Sequence, residues 1–199
     1  MSGGTLVDHQ IQELIEKNQL LDPYTLDSLS SASYELRVGS YRSPSDNKPV
    51  GPTSLPAEAA LQIKAGGFML VGTIERLRIP NDVLGMLYLR STYARLGFVS
   101  WFQGVVDPGF EGTPTILLHN LGGRVLTITG GDRICHLVLE RLSTAVARPY
   151  RGRYYLAPGA TPARYRAGAA QRNTPPRSAE RRRRRVGQAE DPGGSSARD

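Results

Sequence analysis

Between Ser33 and Leu142 the chain is a succession of short runs, each rich in β-branched, leucine or aromatic residues. They read SYELRVGSY, GFMLVGTIERLRIP, VLGMLYL, GFVSWF, TPTILLHN, VLTIT and ICHLVLERL. Turn clusters separate them: Pro80-Asn81-Asp82, Asp107-Pro108-Gly109, Leu121-Gly122-Gly123 and Gly130-Gly131-Asp132. Gly and Asn supply the backbone freedom such turns need, and Pro and Asp set their first residues. Many short strands at this spacing predict an all-β sandwich, jelly roll or barrel. Pro114 lies inside one run. Proline cannot donate to a ladder, so that strand is expected at an edge or bulged there. Residues 43–60 are rich in Pro, Ser, Asn and Ala and read as a loop.

One helix precedes the strands. Val7, Ile11, Leu14 and Ile15 recur at helical spacing over residues 5–18. Thr5 followed by Asp8 resembles a capping box. Asp22-Pro23 ends the pattern. A chain of 199 residues with 39% hydrophobic content suits one ordinary domain. The sole cysteine, Cys135, excludes an internal disulfide or a Cys-rich metal site and points to a reducing compartment. The N-terminus has no basic or apolar targeting pattern, and no apolar run approaches membrane-spanning length, so a cytoplasmic protein is expected, with no membrane contact.

The formal charge of +7 is unevenly placed. Residues 1–150 hold 13 basic and 14 acidic side chains; residues 151–199 hold 12 arginines and 4 acids. The body is therefore near neutral. Residues 167–199 carry almost no large apolar side chain and are expected to be disordered, leaving residues 1–166 as the folded domain. Arg181 to Arg185 have two readings: salt-sensitive contact with nucleic acid or another polyanion, or a solvated extension, which the composition favours.

Two short segments carry the chemistry. In Arg90-Ser91-Thr92-Tyr93-Ala94-Arg95 a helical turn would put Ser91 and Arg95 on one face. Guanidinium forks and hydroxyls bind phosphate oxygens through charge-assisted bonds. A solvated arginine beside a capping serine is the plainer reading. Asp107-Pro108-Gly109 is a turn whose carboxylate either bonds nearby backbone N–H groups or orients and deprotonates a water beside an electrophilic phosphorus.

Several ordered blocks decide between these readings by resemblance. Ser31-Ala32-Ser33-Tyr34-Glu35-Leu36-Arg37-Val38-Gly39, Thr73-Ile74-Glu75-Arg76, Arg90 to Gly97, Gly104 to Gly112 and Gly131-Asp132-Arg133-Ile134-Cys135-His136-Leu137 resemble blocks of the dCTP deaminase and trimeric dUTPase superfamily. They lie closer to the deaminase branch, and the resemblance runs from about Leu6 to about Arg164. It implies a mainly β, dUTPase-like distorted jelly roll or barrel with a short N-terminal helix. It also implies a homotrimer with active sites shared between subunits, and a pyrimidine deoxynucleoside triphosphate as substrate. Arg90, Ser91, Thr92 and Arg95 would face the triphosphate, with Mg²⁺ held mainly by phosphate oxygens and water rather than by protein ligands. Asp107 and Arg95 would be catalytic. Phe110 would pack on the deoxyribose or, equally, in the core.

The chain departs from that pattern at four positions. A deaminase of this family has a glutamate ten residues after the shared aspartate, shuttling protons while water attacks C4 of cytosine; here the position is Leu117. Leucine can be neither acid nor base. Gln103 stands where a small residue usually lies near the base. His136 replaces a phosphate-contacting glutamine; it either donates to phosphate or is a strand histidine satisfied by a neighbour. Ala157 replaces a glutamine of the C-terminal lid. The phosphate-facing residues stay and the deamination residue goes. The expected activity is therefore hydrolysis of dUTP to dUMP and diphosphate, with dCTP deamination and inactive nucleotide binding as alternatives.

Overall fold

A computed structural model describes residues 3–43, 52–100 and 104–164. In chain order the elements are β1 (Gly4–Thr5), α1 (Asp8–Asn18), β2 (Leu21–Asp22), a 3-10 turn (Leu26–Ser28), β3 (Leu29–Ser30) and β4 (Ser33–Arg42). Next come β5 (Thr53–Ser54), β6 (Ala60–Ile63), β7 (Phe68–Thr73), β8 (Arg76–Arg78), β9 (Val83–Leu89) and α2 (Ser91–Leu96). The last are β10 (Phe98–Val99), β11 (Val105–Val106), β12 (Glu111–Thr113), β13 (Thr115–Asn120), β14 (Leu126–Thr129), β15 (Arg133–Arg141) and β16 (Ala157–Pro158). The chain is mainly β, as the run pattern predicts.

The large sheet runs β10-β13-β7-β4-β15-β9-β11, with β1, β3 and β5 pairing at its flanks. A four-stranded sheet, β16-β12-β8-β2, and the pair β14-β6 complete the fold. Period-two burial sets the inner face. Along β13, Ile116, Leu118 and Asn120 are buried and Thr115, Leu117 and His119 are half-buried. Leu36, Val38, Val71, Leu87, Leu137 and Leu139 from four neighbouring strands close the core around them. Alternation of this kind lets one face bury apolar side chains at roughly 25 cal/mol per Å² removed from water.

Three local expectations are corrected. The stretch 43–60, read as a loop, contains β5 (Thr53–Ser54) paired with β4, and β6 begins at its last residue, Ala60. Pro114 marks neither an edge nor a bulge: it is buried between β12 and β13, and the chain there leaves the four-stranded sheet for the large one. A residue without an N–H fits the junction, where no ladder bond is required. The helix begins at Asp8 rather than Thr5, which lies in β1. Val7 is its N-cap, and Gln10 Oε1 accepts the Val7 N–H at 3.1 Å, so Thr5 and Asp8 form no capping box. Val7 itself is 37% exposed, while Ile11, Leu14 and Ile15 are buried.

Contacts divide the chain into a unit Met1–Pro162 and a unit Ala163–Asp199. Of the second only Ala163 and Arg164 are described, so the arginine-rich tail lies outside the described residues. No helix among the described residues is long and apolar enough to cross a membrane.

Candidate active site

Strand β9 delivers Arg90 to the start of α2. The residue is extended (φ −64°, ψ 140°) and caps the helix. Tyr93 roots α2 in the core, 9% exposed and packed on Phe98 with ring centroids 6.3 Å apart. Burial raises its phenol pKa, and nearby Asp132 adds to the effect. With Tyr93 turned inward, Ser91, Thr92 and Arg95 are exposed on the outer side. The helical turn predicted for this segment is present, and Ser91 and Arg95 share a face.

Arg90 does not stand alone. Its Nε is 2.9 Å from Glu35 Oε1, and its Nη1 donates to the Arg133 carbonyl at 2.8 Å. Arg133 Nη1 reaches Glu35 Oε2 at 3.3 Å and donates to the Asp27 carbonyl at 2.5 Å. His136, opposite Glu35 in the β4–β15 register, places Nδ1 3.1 Å from Ser33 Oγ and 3.9 Å from Glu35 Oε1. One carboxylate, only 8% exposed, thus serves two guanidiniums that are 26% and 43% exposed. Two guanidiniums held on one carboxylate keep cationic N–H groups at the surface, which suits an oligophosphate. His136 has the neighbour that its structural reading requires.

Asp107 lies elsewhere. Val105 and Val106 of β11 pair with Met86 and Gly85 of β9, so the chain emerges near the start of β9. Arg90 follows the other end of that strand. From Gly85 to Arg90 is about 17 Å at the strand rise, and β9 keeps unbroken register with β15 over that span. Within one chain, Asp107 and Arg90 cannot act on the same phosphate. The Asp107 carbonyl accepts the Phe110 N–H at 3.0 Å, closing the turn. Its carboxylate is exposed and has no hydrogen-bond or ion-pair partner among the described residues. The turn-stabilising role open to it in the sequence is therefore not taken up. Phe110 is 9% exposed and packs on Tyr150, centroids 5.8 Å apart.

Leu117 pairs with Leu70 of β7 on the outer face of the large sheet. Phe68 and His119 pair beside them, and His119 Nε2 sits 3.2 Å from the Gly66 carbonyl. No described carboxylate belongs to that stretch of β7 and β13. Gln103 lies outside the described residues. Ala157 is 4% exposed in β16, which runs parallel to β12 through Gly112↔Ala157 and Thr113↔Pro158. Gly159 and Thr161 are bonded to Thr115, the Ala160 N–H donates to Ser40 Oγ, and Gly72 lacks the Cβ that would strike Ala160. The segment around Ala157 is thus hydrogen-bonded to the large sheet, with a two-residue strand at Ala157–Pro158. Among the described residues no three His, Cys, Asp or Glu side chains converge on a metal position. Among those residues Glu35 is committed to its arginines.

A profile of the dCTP deaminase-like family matches residues 5–142. The chain belongs to the dCTP deaminase-like family. It is 34% identical over 144 residues to the dCTP deaminase of Thermococcus kodakarensis, covering 70% of this chain and 87% of that protein. It is also 34% identical over 168 residues to the "dCTP deaminase, dUMP-forming" of Aquifex aeolicus, covering 80% of this chain and 93% of that one. Among solved structures, the 2'-deoxycytidine 5'-triphosphate deaminase of Agrobacterium tumefaciens superposes with a TM-score of 0.59 at 17% identity. That match covers 71% of this chain and half of the other, and it supports the fold.

Against this family background, sequence reasoning missed Glu35, Arg133 and the strand at Ala157. Glu35 carried a signal: a lone carboxylate between Tyr34 and Leu36 in an apolar strand, where all four residues Ser33 to Leu36 are buried. A buried charge demands partners. Arg133 offered none, because its register with β4 is set by strand pairing distant in sequence.

Proposed function

We propose that this dCTP deaminase-like protein hydrolyses a pyrimidine deoxynucleoside triphosphate, dUTP being the favoured substrate, to the monophosphate and diphosphate. The observation that carries the reading is Leu117. The position that needs a proton shuttle for deamination holds leucine against leucine, while the Asp107 carboxylate stands exposed and without a partner among the described residues. Asp107 would take a proton from water as its oxygen bonds to the α-phosphorus. The bond from that phosphorus to the bridging oxygen breaks, and diphosphate leaves with the electron pair. Arg90, with Ser91, Thr92 and Arg95, would hold the triphosphate and offset the charge developing on the leaving group, with His136 beside them. Phe110 and Gln103 are proposed on the sugar and base side. Mg²⁺ bound to the phosphate oxygens would neutralise further charge.

The separation of Asp107 from Arg90 means a second copy must complete each site, which supports a homotrimer. The outer side of β9 suits that contact. Leu84, Met86 and Tyr88 alternate outward there, Met86 lies opposite Val105 and Val138, and Tyr88 and Val105 are 39% and 58% exposed. An apolar sheet face of this kind is commonly covered by a partner.

The relatives' names favour a second reading, dCTP deamination. A dUMP-forming deaminase releases both ammonia and diphosphate, so the two reactions are compatible on one scaffold. Deamination here would need a substitute for the missing carboxylate. His119, two residues after Leu117 and roughly 7 Å along the same face, is the nearest titratable side chain on β13. A panel of dNTPs with Mg²⁺, read by product mass, separates the readings. Monophosphate from dUTP, lost in Asp107→Asn with nucleotide binding retained, supports hydrolysis. Ammonia from dCTP establishes deamination, and binding without any product leaves a nucleotide-binding regulator.

A further inference from the structure

The Asp107 turn is held by a segment beyond the family-matched region, residues 149–157. The Tyr150 N–H donates to the Pro108 carbonyl at 2.8 Å, and the Leu156 N–H donates to the Glu111 carbonyl at 2.7 Å. Arg151 Nη1 donates to the Gly109 carbonyl at 2.8 Å and to the Tyr150 carbonyl at 2.7 Å. Its guanidinium lies over the Tyr155 ring, 4.4 Å from the centroid, and the Tyr155 hydroxyl donates to Glu111 Oε2 at 3.2 Å. Gly109 is left-handed (φ +83°), and a Cβ there would meet Pro149 Cβ at 2.5 Å. The turn and this strap are therefore in close contact on both sides of Gly109.

We propose that Arg151 is a positioning residue for Asp107, acting through the Gly109 carbonyl while the Tyr155 ring supports its guanidinium. The proposal rests on the reading of Asp107 as the water-activating carboxylate. A carboxylate with no hydrogen bond among the described residues is oriented there by its backbone, and that backbone is a three-residue turn with one glycine. Arg151 fastens the carbonyl two residues from Asp107 and ties it to the strap. A guanidinium whose Nη1 donates twice while Cζ lies over an aromatic ring loses little freedom per bond. Its geometry therefore suits a clamp better than a lysine would.

The test uses the full chain in three forms: wild type, Arg151→Ala and Arg151→Lys. Hydrogen exchange at the Gly109 and Phe110 amides, bonded to the Ile79 and Asp107 carbonyls, reports the turn without any need for turnover. Arg151→Ala is expected to speed that exchange and to lower kcat about tenfold, the equivalent of one lost charge-assisted bond, with KM nearly unchanged. Arg151→Lys is expected to recover part of both effects, since it keeps a donor but not the stacking. Unchanged exchange in Arg151→Ala overturns the clamp. Faster exchange with unchanged kcat overturns its role in positioning Asp107. A wild type without turnover removes the hydrolase reading and the catalytic half of this proposal with it, while the exchange result still decides whether Arg151 holds the turn.

Discussion

Arg37→Ala is expected to weaken the fold by an amount that grows with pH. Glu75 is fully buried and accepts the Arg37 Nε–H at 2.6 Å and the Arg37 backbone N–H at 2.9 Å. Arg37, whose side chain is 18% exposed, also donates to the Pro23 carbonyl at 3.2 Å. Burial already raises the Glu75 pKa above 4.5, opposed by the bonds from Arg37. Removing one partner of a buried pair costs about 3–5 kcal/mol, because the other charge is stranded. Glu75 has one escape, which is to bind a proton. Truncation removes the guanidinium that favoured the charged form, so the folded-state pKa rises further. The folded chain then holds a proton that the unfolded chain releases above 4.5, and stability falls as pH rises toward the folded pKa. The slope is at most about 1.4 kcal/mol per pH unit. Urea unfolding at pH 5, 6.5 and 8, at fixed protein concentration, should show a small loss at pH 5 and about 3 kcal/mol or more at pH 8. The double variant Arg37→Ala/Glu75→Gln should lose the pH dependence. Equal destabilisation at pH 5 and pH 8 would refute the buried-charge argument.

Four further outcomes are expected. Met86→Glu places a charge on the outer face of β9 and should yield monomers by light scattering with turnover lost; an intact trimer would show that the contact lies elsewhere. Mixing Asp107→Asn with Arg90→Ala subunits should restore part of the activity that each lacks alone, and no restoration after subunit exchange would argue against shared sites. Gly72→Ala drives a Cβ into the Ala160 backbone and Ser40 Oγ and should cost about 1–3 kcal/mol, read as a lower melting temperature. Glu111 has its pKa lowered, chiefly by its hydrogen bond from Arg76, so its stabilising contribution is present above pH 4.5 and fades as pH falls through the folded value. Glu111→Gln should therefore flatten the acid limb of the stability profile below pH 4.5, and an unaltered limb would refute that assignment.

Part of the candidate site's geometry is legible in the sequence. Ser91 and Arg95 are four apart on a short helix, and that spacing alone puts them on one face. Leu117 is a local fact about chemical type, needing only a register relative to Asp107. Pro114 was misread because the sequence marks where a ladder bond is missing but not which sheet lies on either side. The helix start was misplaced because β1 pairs Thr5 with Glu140, a partner distant in sequence that outcompetes a local cap.

By itself the sequence determined the mainly β class, most of the longer strands, and the presence of leucine rather than a carboxylate at position 117. These follow from side-chain chemistry and from periods of two and 3.6 residues, which are local. Only the tertiary structure decided that Arg90 shares Glu35 with Arg133, that residues 149–161 are fastened to the Asp107 turn and the large sheet, and that Asp107 and Arg90 stand at opposite ends of β9. Each depends on strand pairing between residues far apart in the chain. Such pairing is set by how the whole set of apolar faces closes over one core, not by any single segment.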